Sequence, residues 1–269
     1  MLKEHIELAL AEDIGSGDIT SGILLDKKVR AKLIFKQAAV LCGVEYFDLV
    51  CEAIDPNIKV AWHFKDGDKI EQKQIVAEIA GLSKSILTAE RVAINYLQTL
   101  SAVATTTKVY VDLIAAYKAK IFDTRKTIPG LRSAQKYAVR VGGGCNQRMG
   151  LYDAFLIKEN HISALGSITA CVAAARLHNA NITIQVEVEN LLQLQEALDL
   201  EVDLILLDNF TIEQIKQAVK LNNNQAQLEV SGNVSLANII DIAKTGVDRI
   251  SIGALTKNIQ AIDISLLVE

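Results

Sequence analysis

The sequence predicts an α/β protein whose larger part is built on a parallel β-sheet. Short apolar strands alternate with helical stretches after Lys118, the first third of the chain has a different and more β-rich pattern, and the later strands end in polar residues or glycine. Strands that alternate with helices form βαβ units, in which the strands run parallel. With 269 residues, the chain is long enough for one large domain or two modest ones.

Residues 1–20 predict a short amphipathic helix. Within this range the helix gives way to the turn-rich segment Gly15–Asp18. From Thr88 to about Tyr117 the apolar spacing becomes helical again. The turn Asp66-Gly67-Asp68 predicts a hairpin or a corner. Between the two helical regions, β-type stretches are predicted at Arg30–Cys42, Ile58–Phe64 and Ile75–Ile79.

The rest of the chain contains six short apolar strands, too few for a closed eight-stranded barrel. Helices are predicted between most of them, at Asn190–Leu198, Thr211–Leu221 and Leu236–Lys244. The strands are predicted at Lys120–Asp123, Ala154–Lys158, Ile182–Glu189, Leu204–Asp208, Leu228–Ser231 and Arg249–Ile252.

Polar residues and glycines at the ends of these strands predict a functional site. Catalytic groups of α/β barrels converge from the carboxyl ends of the strands. One polar strand end is unremarkable, but six in succession favour a site. The six ends are Asp123-Thr124-Arg125-Lys126, Lys158-Glu159-Asn160-His161, Glu187 with Glu189, Asp208-Asn209, Ser231-Gly232-Asn233, and Ser251 with Gly253.

Basic residues are concentrated between Arg125 and Lys158, where seven of them accompany one acidic residue, Asp153. Lys136 and Arg140 are four residues apart, and this helical spacing indicates a solvated helix face. Arg125 and Arg148 follow a strand and a glycine run, and Lys158 closes an apolar strand. Because arginine matches carboxylate and phosphate geometry and lysine supplies a compact charge, we expect these cations to bind an anionic ligand.

Further features suit a phosphate and a metal ion. The loops Ser231–Asn233 and Ser251–Ala254 follow the last two strands, where barrel proteins often bind phosphate. Glu189 and Asp208 end neighbouring strands, and two carboxylates near a phosphate pocket favour a Mg²⁺ site. Alternatively, Glu187 and Glu189 pair with the basic cluster. Gly142-Gly143-Gly144 indicates close approach of the backbone to a ligand or another element.

Composition excludes several classes of function. A net charge of −4 gives no general attraction to nucleic acid or anionic membranes. No apolar run reaches the length of a membrane span, about 18 residues, and the charged N-terminus does not resemble a signal peptide. Four cysteines without a CxxC pair predict reduced thiols in a cytoplasmic protein.

Motifs at these positions resemble quinolinate phosphoribosyltransferase along essentially the whole chain. The strings Thr124–Arg132 (TRKTIPGLR) and Leu156–His161 (LIKENH), in this order, are far more specific than any single motif above. The other matching stretches are Ala11–Thr20, Glu90–Asn95, Gly142–Arg148, Leu206–Phe210 and Ser251–Thr256.

The resemblance implies an N-terminal α/β sandwich domain and an incomplete, open parallel α/β barrel, expected over residues 1–106 and 107–255, with the tail 256–269 joining the first. It implies Mg²⁺-dependent phosphoribosyl transfer from phosphoribosyl pyrophosphate to quinolinate with decarboxylation, a pentosyltransferase reaction of NAD biosynthesis. The products would be nicotinate mononucleotide, pyrophosphate and CO₂.

The resemblance also implies residue roles. Arg125 and Arg148 would clamp the carboxylates of quinolinate, joined by Arg91 from the neighbouring subunit of a homodimer. Catalytic roles fall to Lys126, Lys158, Glu189 and Asp208, the lysines contacting the ribose-phosphate and the carboxylates serving Mg²⁺ and the ribose. The remaining substrate contacts would be Thr124, Gln147, Ser231, Gly232, Asn233, Ser251 and Gly253.

Three positions depart from the family pattern. Gln147 replaces the usual histidine before the second arginine, and glutamine can still donate a hydrogen bond but carries no charge. Asn233 replaces a glycine, and asparagine tolerates left-handed backbone better than most residues. Lys257 stands where histidine is common and could still bind a phosphate.

Three alternatives stay open at this stage. A paralogue such as the molybdenum-locus protein of the same superfamily would use another acceptor, but a monoanionic acceptor would not need Arg91, Arg125 and Arg148. A Schiff-base aldolase would use Lys158 as its nucleophile. A non-catalytic binding protein would tolerate the loss of Arg125.

Overall fold

The computed structural model describes residues 2–269, so only residue 1 of the predicted first helix lies outside it. Its strands are β1 (Lys28–Phe35), β2 (Ala39–Val40), β3 (Lys59–Trp62), β4 (Lys69–Ile70), β5 (Gln74–Leu82), β6 (Lys120–Phe122), β7 (Phe155–Ile157), β8 (Ile184–Val188), β9 (Leu204–Asp208), β10 (Gln227–Ser231), β11 (Arg249–Ser251) and β12 (Ile264–Val268).

The helices are α1 (Leu2–Ile14), α2 (Val44–Ile54), α3 (Ser83–Leu113), α4 (Arg132–Val141), α5 (Glu159–Leu165), α6 (Ile168–His178), α7 (Leu191–Asp199), α8 (Ile212–Asn222), α9 (Ile239–Lys244) and α10 (Ala254–Lys257). A short 3₁₀ helix, Ser21–Ile23, follows α1. No helix within residues 2–269 combines the length and the apolar character needed to cross a membrane.

The chain divides into two compact units. The first contains the chain up to Lys108 together with Pro129–Gly142 and Asn258–Glu269, and the second contains Val109–Ile128 and Gly143–Lys257. The segment Pro129–Gly142 therefore belongs to the first unit, although it lies within the range 107–255 expected for the barrel.

The first unit is built on a four-stranded antiparallel sheet in the order β12-β1-β5-β3. Leu33 and Phe35 of β1 are fully buried, as the alternating pattern of a half-buried strand requires. The predicted strand Arg30–Cys42 is in fact two strands, because β1 ends at Phe35 and the separate β2 pairs with β4. Strand β12 pairs antiparallel with β1.

Helix α4 packs closely on α3 within the first unit. A Cβ on Gly142 would lie 2.4 Å from the carbonyl oxygen of Ala104, so only glycine permits this approach between two elements. Lys136 corrects a prediction: its side chain is fully buried rather than part of a solvated helix face, whereas Arg140 is exposed.

The second unit is built on a six-stranded parallel sheet in the order β6-β11-β10-β9-β8-β7. Helices α5 to α9 follow the strands from β7 onward, which confirms the predicted α/β architecture with six parallel strands. Strands β6 and β7 are consecutive along the chain but form opposite edges of the sheet. The segment between them therefore connects one edge of the sheet to the other.

Candidate functional site

The register of the parallel strands places polar side chains in rows on one face of the sheet. Glu187 on β8 is level with Leu206 on β9, Leu206 with Glu229 on β10, and Glu229 with Arg249 on β11. Two residues further along the strands, Asp208 is level with Ser231. Successive residues of a strand point to opposite faces, so residues two apart point to the same face. Asp208 and Ser231 therefore form a second row on the same face as the first, nearer the carboxyl ends of the strands.

A buried polar cluster surrounds Glu229 in the first of these two rows, the one farther from the carboxyl ends of the strands. Glu229 is fully buried and accepts hydrogen bonds from Gln147 Nε2 at 2.8 Å and Gln185 Nε2 at 3.1 Å. The guanidinium of Arg249 lies 3.9 Å from the same carboxylate and 4.5 Å from the centre of the Phe122 ring. Burial raises the pKa of Glu229, although these donors and the Ser251 hydroxyl oppose the shift.

Lys158 is paired with a carboxylate inside the site. Its Nζ lies 2.5 Å from Glu187 Oε2, and the Glu187 side chain is only 14% exposed. The alternative that Glu187 pairs with the basic cluster is thus correct for this residue. An amine held by a carboxylate at this distance is not free to attack a carbonyl, which argues against the Schiff-base aldolase. His161 Nδ1 accepts a hydrogen bond from the Lys158 backbone N–H at 3.0 Å, which gives His161 a structural role at the start of α5.

Asp123 organises the segment that follows the glycine run. It is fully buried, and it accepts hydrogen bonds from the Gln147 backbone N–H at 2.9 Å and from Asn146 Nδ2 at 2.5 Å. The backbone N–H of Asp123 in turn donates to the carbonyl of Cys145 at 3.1 Å. These bonds join the end of β6 to the residues immediately before Arg148.

Arg148 carries a partly buried positive charge. Its Nη1 donates to the carbonyl of Ala154 at 3.3 Å, while its Nε is buried and has no hydrogen-bond partner among residues 2–269. Burial lowers the pKa of Arg148, and the neighbouring charge of Arg125 lowers it further, whereas Asp153 and Glu187 oppose the shift. The two arginines thus repel each other in a site from which water is partly excluded.

The loop after β10 makes a tight turn next to Asn209. Gly232 and Asn233 both have left-handed backbone, with φ of +91° and +51°. A Cβ on Gly232 would lie 2.2 Å from Asn209 Oδ1, and Asn233 Nδ2 donates to that oxygen at 3.2 Å. The expectation that asparagine can occupy a left-handed position here is confirmed.

Gly253 allows Lys126 to lie against the loop after β11. A Cβ at Gly253 would lie 3.0 Å from Lys126 Cδ and 3.5 Å from Thr124 Oγ1. Thr256 Oγ1 donates to the Lys126 carbonyl at 2.9 Å, and the Lys126 backbone N–H donates to Thr124 Oγ1 at 3.0 Å. Thr124, Lys126 and Gly253 are therefore brought together, and Ser251 is buried at the end of the same strand.

Asp208 ends β9 and Glu189 directly follows β8, and both are more accessible than Glu229. Asp208 Oδ2 accepts a hydrogen bond from Asn209 Nδ2 at 2.8 Å, and the Glu189 backbone N–H donates to Gln193 Oε1 at 2.7 Å. Within residues 2–269, no group of three or more histidines, cysteines or acidic residues could enclose a metal ion. Two carboxylates fit Mg²⁺, which takes oxygen ligands and usually keeps waters and substrate oxygens as the others.

Arg91 and Lys257 complete the set of predicted residues. Arg91 lies on α3 in the first unit with an exposed side chain. Lys257 ends α10 in the second unit and is also exposed.

The sequence marks Asp123 only as part of a polar strand end, and the predicted site does not include Gln185, Glu229 or Arg249. Gln185 and Glu187 on β8 and Glu189 directly after it alternate with apolar residues, and this period of two indicates a polar strand face. Gln227, Glu229 and Ser231 alternate in the same way along β10, so the same signal marks Glu229, whereas β11 has only three residues and is too short for Arg249 to show a period.

Comparison with known proteins agrees with this geometry. The family model for the C-terminal domain of quinolinate phosphoribosyl transferase matches residues 103–267, and the model for the N-terminal domain matches residues 18–101. The chloroplastic carboxylating nicotinate-nucleotide pyrophosphorylase of Arabidopsis thaliana is 39% identical, over 100% of this chain and 83% of that protein.

Solved structures give the same result. The nicotinate-nucleotide pyrophosphorylase of Francisella tularensis has a TM-score of 0.98 and 46% identity, covering 100% of this chain and 96% of that one. The corresponding protein of Ehrlichia chaffeensis has a TM-score of 0.96 and 41% identity, covering 99% and 98%. With both domain models matched in order, the chain belongs to the quinolinate phosphoribosyltransferase family.

Proposed function

We propose that this protein transfers the phosphoribosyl group of phosphoribosyl pyrophosphate to quinolinate and releases pyrophosphate and CO₂, leaving nicotinate mononucleotide. The observation that carries the proposal is the repulsive pair of Arg125 and Arg148, with the Nε of Arg148 buried and without a hydrogen-bond partner among residues 2–269. Two adjacent cations in a partly buried site are stabilised by an anion, and a pyridine dicarboxylate supplies two negative charges.

On the acceptor side, Arg125 and Arg148 hold the two carboxylates and orient the pyridine ring. Their planar guanidinium groups fix the direction as well as the charge of the ligand. Such positioning turns the attack of the ring nitrogen on the ribose into an effectively intramolecular step. Gln147 precedes Arg148 and donates its amide N–H to Glu229 Oε1 at 2.8 Å, so it places a neutral side chain at the edge of this site.

On the donor side, Lys126 and Lys158 contact the ribose-phosphate and stabilise the negative charge of the departing pyrophosphate. The loop Ser231-Gly232-Asn233, together with Ser251 and Gly253, accommodates the 5′-phosphate; the left-handed backbone of Gly232 and Asn233 supports this role because it makes the loop a tight turn. Glu189 and Asp208 would hold Mg²⁺ and face the ribose hydroxyls. When bound, Mg²⁺ neutralises charge on the pyrophosphate.

The reaction needs positioning and charge more than a protein nucleophile. As the bond to pyrophosphate breaks, the ribose carbon gains positive character and the ring nitrogen attacks it. When the adjacent carboxylate departs as CO₂, the electron pair of the broken bond stays on the ring carbon, where the neighbouring pyridinium nitrogen stabilises it, and a proton from water then binds that carbon to give nicotinate mononucleotide. The arginine nearest that carboxylate must then release neutral CO₂. It can do so because it holds the carboxylate by hydrogen bonds and not by a covalent bond.

A pyrophosphate-release assay with quinolinate or nicotinate as acceptor tests the proposal. Turnover is expected with quinolinate and not with nicotinate, which lacks the second carboxylate. Arg148→Ala should reduce kcat/KM for quinolinate by at least about a hundredfold, because a charged hydrogen bond to the substrate is lost. Arg140→Ala, an exposed arginine on α4, is the matched control and should be as active as the wild type. No turnover of quinolinate by the purified protein would refute the proposal.

The second part of the proposal is a cytoplasmic homodimer in which Arg91 serves the neighbouring subunit's site. Mixed dimers of Arg91→Ala and Arg148→Ala distinguish the arrangements. If Arg91 acts across the dimer, the mixture of two inactive variants regains activity, because one site then has both arginines. If Arg91 acts within its own chain, or the protein is monomeric, the mixture stays inactive. The mass in solution gives the oligomeric state independently.

A further inference from the structure

Glu229 is an unusual residue for the interior of a parallel sheet. It is fully buried, and a buried carboxylate costs several kcal/mol unless donors surround it. The neighbouring strand carries Leu206 at the same level, so the sheet accepts a hydrocarbon side chain in that row. Packing alone therefore does not require a carboxylate at position 229.

Each oxygen of Glu229 is bound to a different partner. Oε1 accepts the hydrogen bond of Gln147 Nε2 at 2.8 Å. Oε2 accepts that of Gln185 Nε2 at 3.1 Å and lies 3.9 Å from Arg249 Nη1. Oε2 is thus bound by residues of the sheet, and Oε1 is bound by the segment that carries Arg148.

Gln147 is held at two points. Glu229 binds its side chain, and Asp123 binds its backbone N–H at 2.9 Å. Glu229 lies on β10 and Asp123 directly follows β6, so these two anchors stand on either side of β11. Arg249 of β11 contacts Glu229 and lies over the ring of Phe122, the residue before Asp123. The position of Gln147 relative to the sheet is therefore set by anchors on two strands, and Arg249 on the strand between them contacts one anchor and the neighbour of the other.

We propose that Glu229 is a positioning residue for the acceptor site: by holding the Gln147 side chain it sets where Arg148 lies, without touching the acceptor itself. The proposal rests on the proposed function, because it assigns Arg148 to acceptor binding. A displacement of about 1 Å at a substrate-positioning group can cost a hundredfold in rate, so a fixed Gln147 has a direct consequence for catalysis.

A double-mutant cycle tests the link between the two residues. Glu229→Met and Gln147→Met should each raise the KM for quinolinate about tenfold, and the double variant should match either single variant, because residues in one hydrogen-bond network are not additive. The KM for phosphoribosyl pyrophosphate should change less than that for quinolinate. Additive effects, or a lower Tm with an unchanged KM for quinolinate, would overturn the proposal.

Gln185→Met is the matched control, because it removes the other amide donor to the same carboxylate. It should lower the Tm and leave the KM for quinolinate unchanged; a tenfold rise would overturn the proposal. Glu229→Gln keeps one carbonyl oxygen for Gln147 and should bring the KM to within about threefold of the wild type. This conservative variant keeps the test decisive where Glu229→Met does not fold.

Crystal structures of the wild type and Glu229→Gln or Glu229→Met separate this proposal from the proposed function. A shift of the Arg148 guanidinium by about 1 Å in the methionine variant supports positioning even if the wild type does not turn over quinolinate. An unmoved Arg148 overturns the positioning role even if the wild type is fully active.

Discussion

The parallel sheet carries carboxylates of two kinds, and their surroundings separate them. Asp123 and Glu229 are fully buried, and protein donors occupy their oxygens. Asp208 and Glu189 lie at the carboxyl ends of their strands, where they are half-buried or exposed. We call the first pair the buried carboxylates and the second pair the rim carboxylates.

The comparison teaches that a site of this kind uses two sets of carboxylates with different roles. The buried carboxylates hold neighbouring segments in place, because a desolvated charge binds its donors tightly and their loss leaves buried groups unpaired. The rim carboxylates keep accessible oxygens that a metal ion or a ribose can bind. Substitution of the two kinds should therefore have different consequences, chiefly for the packed structure in one case and for the chemical step in the other.

The largest expected effect is at a buried carboxylate. Asp123→Asn turns one of the two accepting oxygens into an amide nitrogen that faces a donor, either the Gln147 backbone N–H or Asn146 Nδ2, which should lower the free energy of unfolding by about 3 kcal/mol. Urea denaturation measures the change. Asp203→Asn, an exposed aspartate just before β9, is the control and should change stability by less than about 1 kcal/mol. Equal effects of the two substitutions would contradict the distinction.

The rim carboxylate Asp208 should show the reverse behaviour. Asp208→Asn removes a charge near the reacting ribose and should reduce kcat/KM about a hundredfold, equivalent to about 2.7 kcal/mol of transition-state stabilisation. Its Tm should stay close to that of the wild type. Asp203→Asn again serves as control, because it lies at the opposite end of the same strand and should retain full activity. A large loss of stability in Asp208→Asn would place this residue with the buried pair.

A smaller effect is expected in the loop next to Asp208. Gly232→Ala combines left-handed backbone with a clash against Asn209, and it should cost about 1–2 kcal/mol of stability and raise the KM for phosphoribosyl pyrophosphate. Gly246→Ala is the matched control: its φ is +92°, but the nearest atom to its Cβ would be Val219 Cγ1 at 3.7 Å. If both variants change the KM equally, backbone strain rather than the loop's contact with Asn209 is responsible.

The smallest expected effect is a change in pH dependence at Glu229. Because burial raises its pKa in the folded protein, the protonated form favours folding, and this contribution is lost as the pH rises through the folded pKa. Glu229→Gln resembles the protonated form at every pH. The stability of the wild type relative to Glu229→Gln should therefore decrease as the pH rises above the unfolded pKa of glutamate, as thermal unfolding from about pH 4 to about pH 8 would measure. A constant difference would contradict the shift.

The sequence predicted the rim of the site better than its interior. Polar residues that end apolar strands are visible in the sequence, which is why Asp208, Glu189 and Lys158 could be singled out. Gln147 and Glu229 are far apart along the chain, and only the folded sheet brings their side chains within 2.8 Å. Burial of a polar residue depends on such distant partners, so spacing along the sequence does not indicate it.

Local spacing also misled in two places. Lys136 and Arg140 have the spacing of a solvated helix face, but α4 is packed against other elements of its unit and Lys136 is fully buried. The stretch Arg30–Cys42 has continuous β propensity, but the chain leaves the sheet after Phe35 and resumes as a second short strand. In both places tertiary packing overrode the local preference.

The order of strand pairing also affects how the chain folds while the ribosome synthesises it. Strand β1 begins the four-stranded sheet and pairs with β12, and β6 begins the six-stranded sheet and pairs with β11. In each case the second strand of the pair is synthesised much later than the first. Such pairings between distant segments form slowly, and an incomplete chain exposes unpaired strand edges. A ribosome must therefore release residues 249–251 before the parallel sheet can be completed, and residues 264–268 before the antiparallel one can. Premature termination before β11 would leave the four-stranded and the six-stranded sheet incomplete.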